Sequence, residues 1–254
     1  MNSEVNVELN GIITEIHASS GDQGAPVCRF VTVRTVRSYE SGEDRAWRTE
    51  DVKVRMDGYS RPEEAAGLAL GDIVRVKGTL SSIPADRGFT CTLCGEVASI
   101  PGIESFVVPS DIERISSAAE TPGCDGDDPV SIAEALGDAR ERSNTIVVRH
   151  GVQAKAPMFD ARRRTCAYQL KTDGGVTIYV RSFGDIALAD NENMKDRFGE
   201  DGEGKGAVIS LKGALRSKPG HVKRLRCRAC GAVNETEDRI GTIEVVPSET
   251  EYEE

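Results

Sequence analysis

Gly71-Asp-Ile-Val-Arg-Val-Lys-Gly-Thr-Leu80 and Gly206-Ala-Val-Ile-Ser-Leu-Lys-Gly-Ala-Leu215 are two versions of one pattern, and the rest of the chain is read outward from them. Each is followed by a Pro-containing turn, then Cys-x-x-Cys-Gly, then Val-Val-Pro-Ser. The offset between the versions drifts only from 135 at Gly78/Gly213 to 136 at Cys94/Cys230 and 138 at Val107/Val245. Upstream, Val7-Glu-Leu-Asn-Gly-Ile12 matches Val147-Val-Arg-His-Gly-Val152, and Cys28 answers Cys166. A shared order with loop-sized slips indicates one domain present twice.

Within each copy the apolar residues alternate. Val31 and Val33, then Val52, Val54 and Met56, then Val74 and Val76 are interleaved with Thr32, Lys53, Arg55, Arg75 and Lys77. Ile178 and Val180, then Ile209 and Leu211, repeat the pattern in copy two. A period of two is the pattern of half-buried strands. Asp173-Gly174-Gly175 reads as a hairpin turn. Short helices are expected over Pro62–Leu70 and roughly 186–198. Between the copies, a linker rich in Pro, Gly, Asp and Ser leads to a helix opened by Asp128 as N-cap and Pro129 and running to Arg142, with Ile132 and Leu136 on one face. The expected fold is mainly all-β: two tandem OB-fold Greek-key barrels with short helices and a helical linker. The expected divisions are barrel one at 1–110, an acidic linker with helix at 111–143, barrel two at 144–248 and an acidic tail at 249–254.

Composition narrows the function. The 254 residues carry 42 acidic and 32 basic side chains, a net charge of -10, and are 38% hydrophobic, which describes a globular chain and not a disordered one. Apolar runs such as Ile146-Val147-Val148 are far too short for a membrane span, so no membrane partner is expected. The opening Met1–Asn6 shows no signal-peptide pattern, and the expected location is cytoplasmic. The charge is unevenly placed. Residues 144–248 hold 18 basic against 13 acidic groups, while the remainder is acidic. Lys212, Arg216, Lys218, Lys223, Arg224, Arg226 and Arg228 crowd into 17 residues, a candidate polyanion footprint. The alternative is a set of solvated strand residues balancing acids across a sheet.

Phe30-Val-Thr-Val, Arg37-Ser-Tyr39, Thr49-Glu-Asp-Val-Lys-Val and Gly71 to Leu80, about 75 residues of copy one, resemble bacterial single-stranded-DNA-binding proteins of the OB type. Copy two matches more weakly, through Val176-Thr-Ile-Tyr-Val-Arg-Ser-Phe-Gly184 and Gly206 to Leu215. The chain departs from that family in having one tryptophan, in its Cys-x-x-Cys pairs, and in an acidic end without the family's Pro-Phe. The resemblance implies sequence-nonspecific binding of single-stranded DNA in replication, recombination or plasmid- and phage-type DNA metabolism. RNA binding and a zinc-clamped protein-interaction adaptor are the alternatives, and a homodimer is an open assembly.

Single-strand binding needs cations that follow phosphates and flat side chains for bases. The outward strand positions supply Arg34, Arg37, Tyr39, Trp47, Lys53, Arg55, Arg75 and Lys77 in copy one. Copy two supplies Tyr179, Arg181, Lys212, Arg216, Lys218, Lys223, Arg224, Arg226 and Arg228. Tyr39 and Trp47 are equally readable as aromatics covering their own hairpin, and Tyr179 as a cross-strand packing residue.

Cys91-Thr-Leu-Cys94-Gly and Cys227-Arg-Ala-Cys230-Gly have zinc-knuckle spacing. One knuckle supplies two thiolates and structural zinc takes four, so the economical reading is one structural zinc held by Cys91, Cys94, Cys227 and Cys230, clamping the two barrels. Sites completed across a homodimer, metal-free thiols and a reversible disulfide stay open. Cys28 and Cys166 read as core residues and Cys124 as a linker residue. The three histidines, His17, His150 and His221, are scattered, and no phosphate-binding glycine loop is present, so no enzymatic activity is expected.

Overall fold

The computed structural model describes residues 2–20, 26–41, 44–57, 59–60, 65, 67–85, 87–100, 102–121, 123–198, 204–218, 222–237 and 242–253. Copy one contains β1 (Glu4–Ser20), β2 (Pro26–Ser41), β3 (Asp44–Arg55), β4 (Ile73–Pro84), β5 (Arg87–Thr90), β6 (Val97–Ile100) and β7 (Ile103–Ser116). β1 pairs with both β2 and β4, β4 pairs with β7, and β7 meets β3 in parallel at Val54↔Val107, which closes a five-stranded barrel. β5 and β6 form a separate hairpin arm between β4 and β7.

Copy two repeats the plan with β8 (Asn144–Gln153), β9 (Met158–Asp160), β10 (Thr165–Lys171), β11 (Thr177–Phe183), β12 (Val208–Lys218), β13 (Val222–Arg226), β14 (Val233–Glu237) and β15 (Thr242–Glu253). β8 pairs with β10 and β12, and β15 joins β12 to β11, in parallel with β11 at Val180↔Val245. β13 and β14 form the second arm. The chain is thus two OB-fold barrels, as the alternation predicts. One feature was not predicted: β1 and β8 pair antiparallel from Glu4↔Arg149 to Leu9↔Asn144, fusing both barrels into an 11-stranded sheet.

The repeated motifs have a common physical cause. The β4–β7 register slips between Lys77 and Gly78, and the β12–β15 register slips between Lys212 and Gly213. A Cβ on Gly78 would lie 2.2 Å from the Val108 carbonyl oxygen, and one on Gly213 2.2 Å from that of Val246. Those valines belong to the two Val-Val-Pro-Ser segments, so Lys-Gly-x-Leu and Val-Val-Pro-Ser are the two sides of one bulge, present in each barrel. Because the obstacle is backbone, Gly213→Ala is expected to destabilise the fold by more than about 2 kcal/mol. Gly88→Ala, which meets nothing within 4 Å, is the matched control in a thermal melt.

Several expectations are corrected. The pairings Val7↔Gly78 and Ile146↔Gly213 make Ile146 the counterpart of Val7, where the sequence match used Val147. A register shift opposite Ile209/Leu211 inserts one residue in β8, where His150 adopts φ 53°. The expected acidic tail is strand: Glu249 to Glu253 pair with Lys212 to Val208 in β15. Barrel one's last strand runs to Ser116, beyond 110. The linker helix, α1 (Pro129–Leu136), begins as expected, with Asp128 accepting from the Val130 and Ser131 amides at 3.1 Å. It ends early because Gly137 takes φ 54°, and a 3₁₀ turn covers Gly137–Arg142. The helix expected near 186–198 is α2 (Gly184–Met194). Of 62–70, residues 62–64 and 66 lie outside the described residues, Ala65 is helical and Leu68 to Leu70 are not. Among the described residues, no helix is long and apolar enough to cross a membrane.

The main core runs through both barrels, from Val7, Leu9 and Val31 to Ile178, Ile209 and Leu215. A second core lies outside barrel one: Ile12, Val36 and Ile73 are covered by Ile132, Ala133 and Leu136 of α1, with Trp47 and Cys124 packed against them. The linker is therefore docked on the barrel wall.

Two carboxyl groups of barrel two are buried, Asp190 and Glu244. Asp190 on α2 is fully buried and accepts from the Tyr252 hydroxyl. Burial raises its pKa, against the hydrogen bond from Tyr252, which acts to lower it. A carboxyl whose folded pKa is raised favours folding when protonated, so barrel two loses stability as pH rises from about 4 through that raised value. Glu244 has the opposite sign: its contribution is lost as pH falls through its lowered folded pKa. Asp190→Asn is expected to flatten the first slope only, as read from melting temperatures between pH 4 and pH 8.

Candidate nucleic-acid interface and metal centre

Alternation on the β2–β3 ribbon turns Val31, Val33, Val52 and Val54 inward and leaves Phe30, Thr32, Arg34, Asp51, Lys53 and Arg55 outward. In OB barrels this outer face, with the flanking loops, is where oligonucleotides lie. Lys53 stands 3.9 Å over the Phe30 ring and pairs with Glu104. Arg55 lies 5.2 Å over the Phe106 ring and 3.4 Å from Asp57. Arg34 forms a two-pronged pair with Asp51, Nε at 2.6 Å and Nη2 at 2.9 Å, and the hydrogen bonds from its guanidinium raise its pKa further.

On the outer face of barrel two, Tyr179, Arg181 and Phe183 alternate with inward Ile178, Val180 and Ser182. Phe183 is 40% exposed and lies 5.3 Å beneath the Arg216 guanidinium. Arg216 and Arg181 both bond Glu244, Arg181 Nε at 3.2 Å. Burial alone would raise the Glu244 pKa, but the hydrogen bonds from Arg181 and Arg216 outweigh it and hold the group ionised below the usual range. Burial raises the Tyr179 pKa. This platform joins an exposed ring to two arginines fixed by one carboxylate.

The remaining candidates are dispersed. Arg37 pairs with buried Glu50 at 3.3 Å, and Glu50 also accepts from the Ser217 amide of barrel two. Tyr39 lies under Arg48 at 4.0 Å. Trp47 packs against α1, with Arg140 at 5.8 Å, so it covers its own barrel wall. Arg75, Lys77 and Lys212 point out from β4 and β12, a wall different from the β2–β3 ribbon. There Arg75 pairs with Glu113, Lys77 faces Glu8 and Asp111, and Lys212 faces Glu249. Arg224 pairs with Glu235 at 3.0 Å on the second arm, where Arg226 and Arg228 are exposed. The side chains of Lys218 and Lys223 lie outside the described residues. Phe30 and Phe183 were missed in the sequence reading, although period two places them in line with Arg34 and with Arg181.

The two arms meet at their tips. Each knuckle closes in the same way: Gly95 donates to the Cys91 carbonyl and Gly231 to the Cys227 carbonyl at 2.9 Å, with both glycines at φ near 75°. Cys91 and Cys230 Sγ are 3.7 Å apart, as are Cys94 and Cys227 Sγ, and all four sulfurs lie within 4.8 Å of one another. Four sulfurs at about 2.3 Å from a tetrahedral zinc are separated by about 3.8 Å, so the cage has the size zinc requires. Asn234 braces it, donating to Cys91 Sγ at 3.5 Å and accepting from the Thr92 amide at 2.9 Å across the arms. The Cys94 and Leu93 amides pull the Cys91 thiol down to about 6. The Cys94 thiol is pushed up to about 12, the Glu96 amide being outweighed by its neighbouring sulfurs and by burial. The four cysteines could hold a metal ion, and its binding would require their sulfurs to be deprotonated.

No protein-family model and no curated protein sequence matches the chain. Its fold does match solved structures. The wild-type single-stranded DNA binding protein from Thermus aquaticus superposes with a TM-score of 0.56, covering 100% of this chain and 95% of that one at 13% identity. A deletion mutant of the same protein gives 0.58 over 99% and 95%, at 12% identity. The likeness is one of fold. It extends over both barrels of this chain, so the tandem arrangement belongs to the shared fold.

Proposed function

We propose that this chain binds single-stranded DNA without sequence preference, in replication, recombination or mobile-element DNA metabolism. The observation that carries the reading is the pair of outer faces, Phe30 with Lys53 and Arg55 on barrel one, and Phe183 with Tyr179, Arg181 and Arg216 on barrel two. Rings accept bases and the cations follow phosphates. The arm carrying Arg226 and Arg228 adds exposed cations to barrel two, and residues 144–248 hold 18 basic against 13 acidic groups, which makes them the stronger electrostatic half. The four-cysteine cage, on the same reading, holds one structural zinc that ties the arms of the two barrels together.

A labelled dT oligonucleotide titrated with the full chain at several salt concentrations tests the reading. Tight binding is expected to weaken with salt by about 0.7 logarithmic units per contacted phosphate. Absence of binding at low salt overturns it in favour of a protein-binding adaptor. Competition with the matched RNA oligomer decides the polymer, because a preference for RNA would require a 2′-hydroxyl reader.

A further inference from the structure

The run Asp125–Asp128 looks in sequence like solvated linker, but the structure gives its acids separate tasks. The Asp125 carboxylate accepts from the Asp127 amide at 2.9 Å, and Asp128 caps α1. Asp127 is turned the other way, onto the outer face of barrel one. Arg34 spends Nε and Nη2 on Asp51, and its remaining nitrogen, Nη1, is taken by the linker: the Gly126 carbonyl at 2.9 Å and the Asp127 carboxylate at 2.5 Å. The two partners differ greatly in exposure, the Arg34 side chain at 20% and that of Asp127 at 92%. The cation is fixed in the wall while its anion is almost wholly in solvent, and such a pair exchanges at little cost.

We infer that Asp127 stands in for a backbone phosphate of the single strand, holding barrel one's Arg34 until a phosphodiester replaces it. This rests on the single-strand-binding reading above. A carboxylate and a phosphate present similar oxygens to a guanidinium, and Arg Nη1 at the middle of a β2–β3 face is positioned for either. Beyond Arg34 the ribbon is closed, because α1 lies over Val36 and Trp47. Barrel one therefore offers only the Phe30–Arg34 half of its face, with the linker acid as competitor at its inner end. Arg181 and Arg216 on barrel two are held by Glu244 of their own barrel and have no such linker contact among the described residues.

The test uses the full chain with the same dT oligonucleotide. Asp127→Asn is expected to tighten binding at low salt about two- to fivefold, the change that an exposed ion pair represents, and to steepen the salt slope by about 0.7, because no displaced carboxylate takes up a cation in exchange for the one the phosphate releases. Glu134→Gln removes the same charge from the exposed side of α1 and is expected to leave the slope unchanged. In an Arg34→Ala background the gain from Asp127→Asn should disappear. Equal effects of Asp127→Asn and Glu134→Gln, or a gain that survives without Arg34, overturn the stand-in role while leaving single-strand binding intact. Failure of every form to bind at low salt overturns both.

Discussion

Protein purified in reducing buffer without chelator is expected to carry one zinc per chain, and Cys227→Ser to carry none. Both cross-arm sulfur pairs stand at 3.7 Å within one chain, so the ratio is one to one and does not depend on a dimer. Structural zinc sites contribute about 10–16 kcal/mol of apparent binding energy in small peptides. Much of that is unneeded in a chain that already has a large core, and we expect metal removal to cost several kcal/mol, about 2–4 °C in melting temperature for each. A thiol titration separates the alternatives. Metal-bound cysteines should react slowly until chelator is added, metal-free thiols should react without chelator, and a disulfide should leave its pair unreactive throughout. Zinc well below one per chain, with the thiols reacting as fast without chelator as with it, would sink the clasp.

The second large effect is expected on barrel two. Phe183→Ala should weaken single-strand binding about 5- to 150-fold if the ring stacks a base, equivalent to about 1–3 kcal/mol. The change removes a 40%-exposed ring and should hardly affect folding. Arg181→Ala should weaken binding as well and flatten the salt slope, because a phosphate contact is lost. Trp47→Ala is expected to do the reverse: lower stability through loss of its contacts beneath α1, with little change in affinity. If Trp47→Ala costs more affinity than Phe183→Ala, the barrel two platform is misassigned.

These contrasts show where sequence reading stops. Alternation along Val31–Val33 or Ile178–Val180 reports a period of two within one segment, so which residues face outward is legible without a structure. The linker N-cap at Asp128-Pro129 is legible for the same reason: a cap is made within one turn. The duplicated Cys-x-x-Cys pairs are legible as half-sites, each knuckle closing on its own backbone. Period two, however, assigns an outward side chain to a face and not to a wall of a closed barrel. Lys77, Lys212 and Arg34 read alike, and only the register of β1 with β4 and β8 with β12 puts the first two on another wall from the third. Counter-charges are still less visible, since Glu104, Glu113, Glu244 and Asp127 meet their cations across strands or across the linker, at separations of 28 to 93 residues.

By itself, then, the sequence determined the local physics: two OB barrels, their inward and outward residues, the opening of α1 and two Cys-x-x-Cys half-sites. The tertiary structure alone decided that β1 and β8 make one sheet, that Trp47 lies under the linker, that β15 absorbs the acidic end, and that the half-sites complete one cage. Each of these depends on contacts between residues far apart in the chain, whose strength is set by strand register and burial and not by any neighbouring residue.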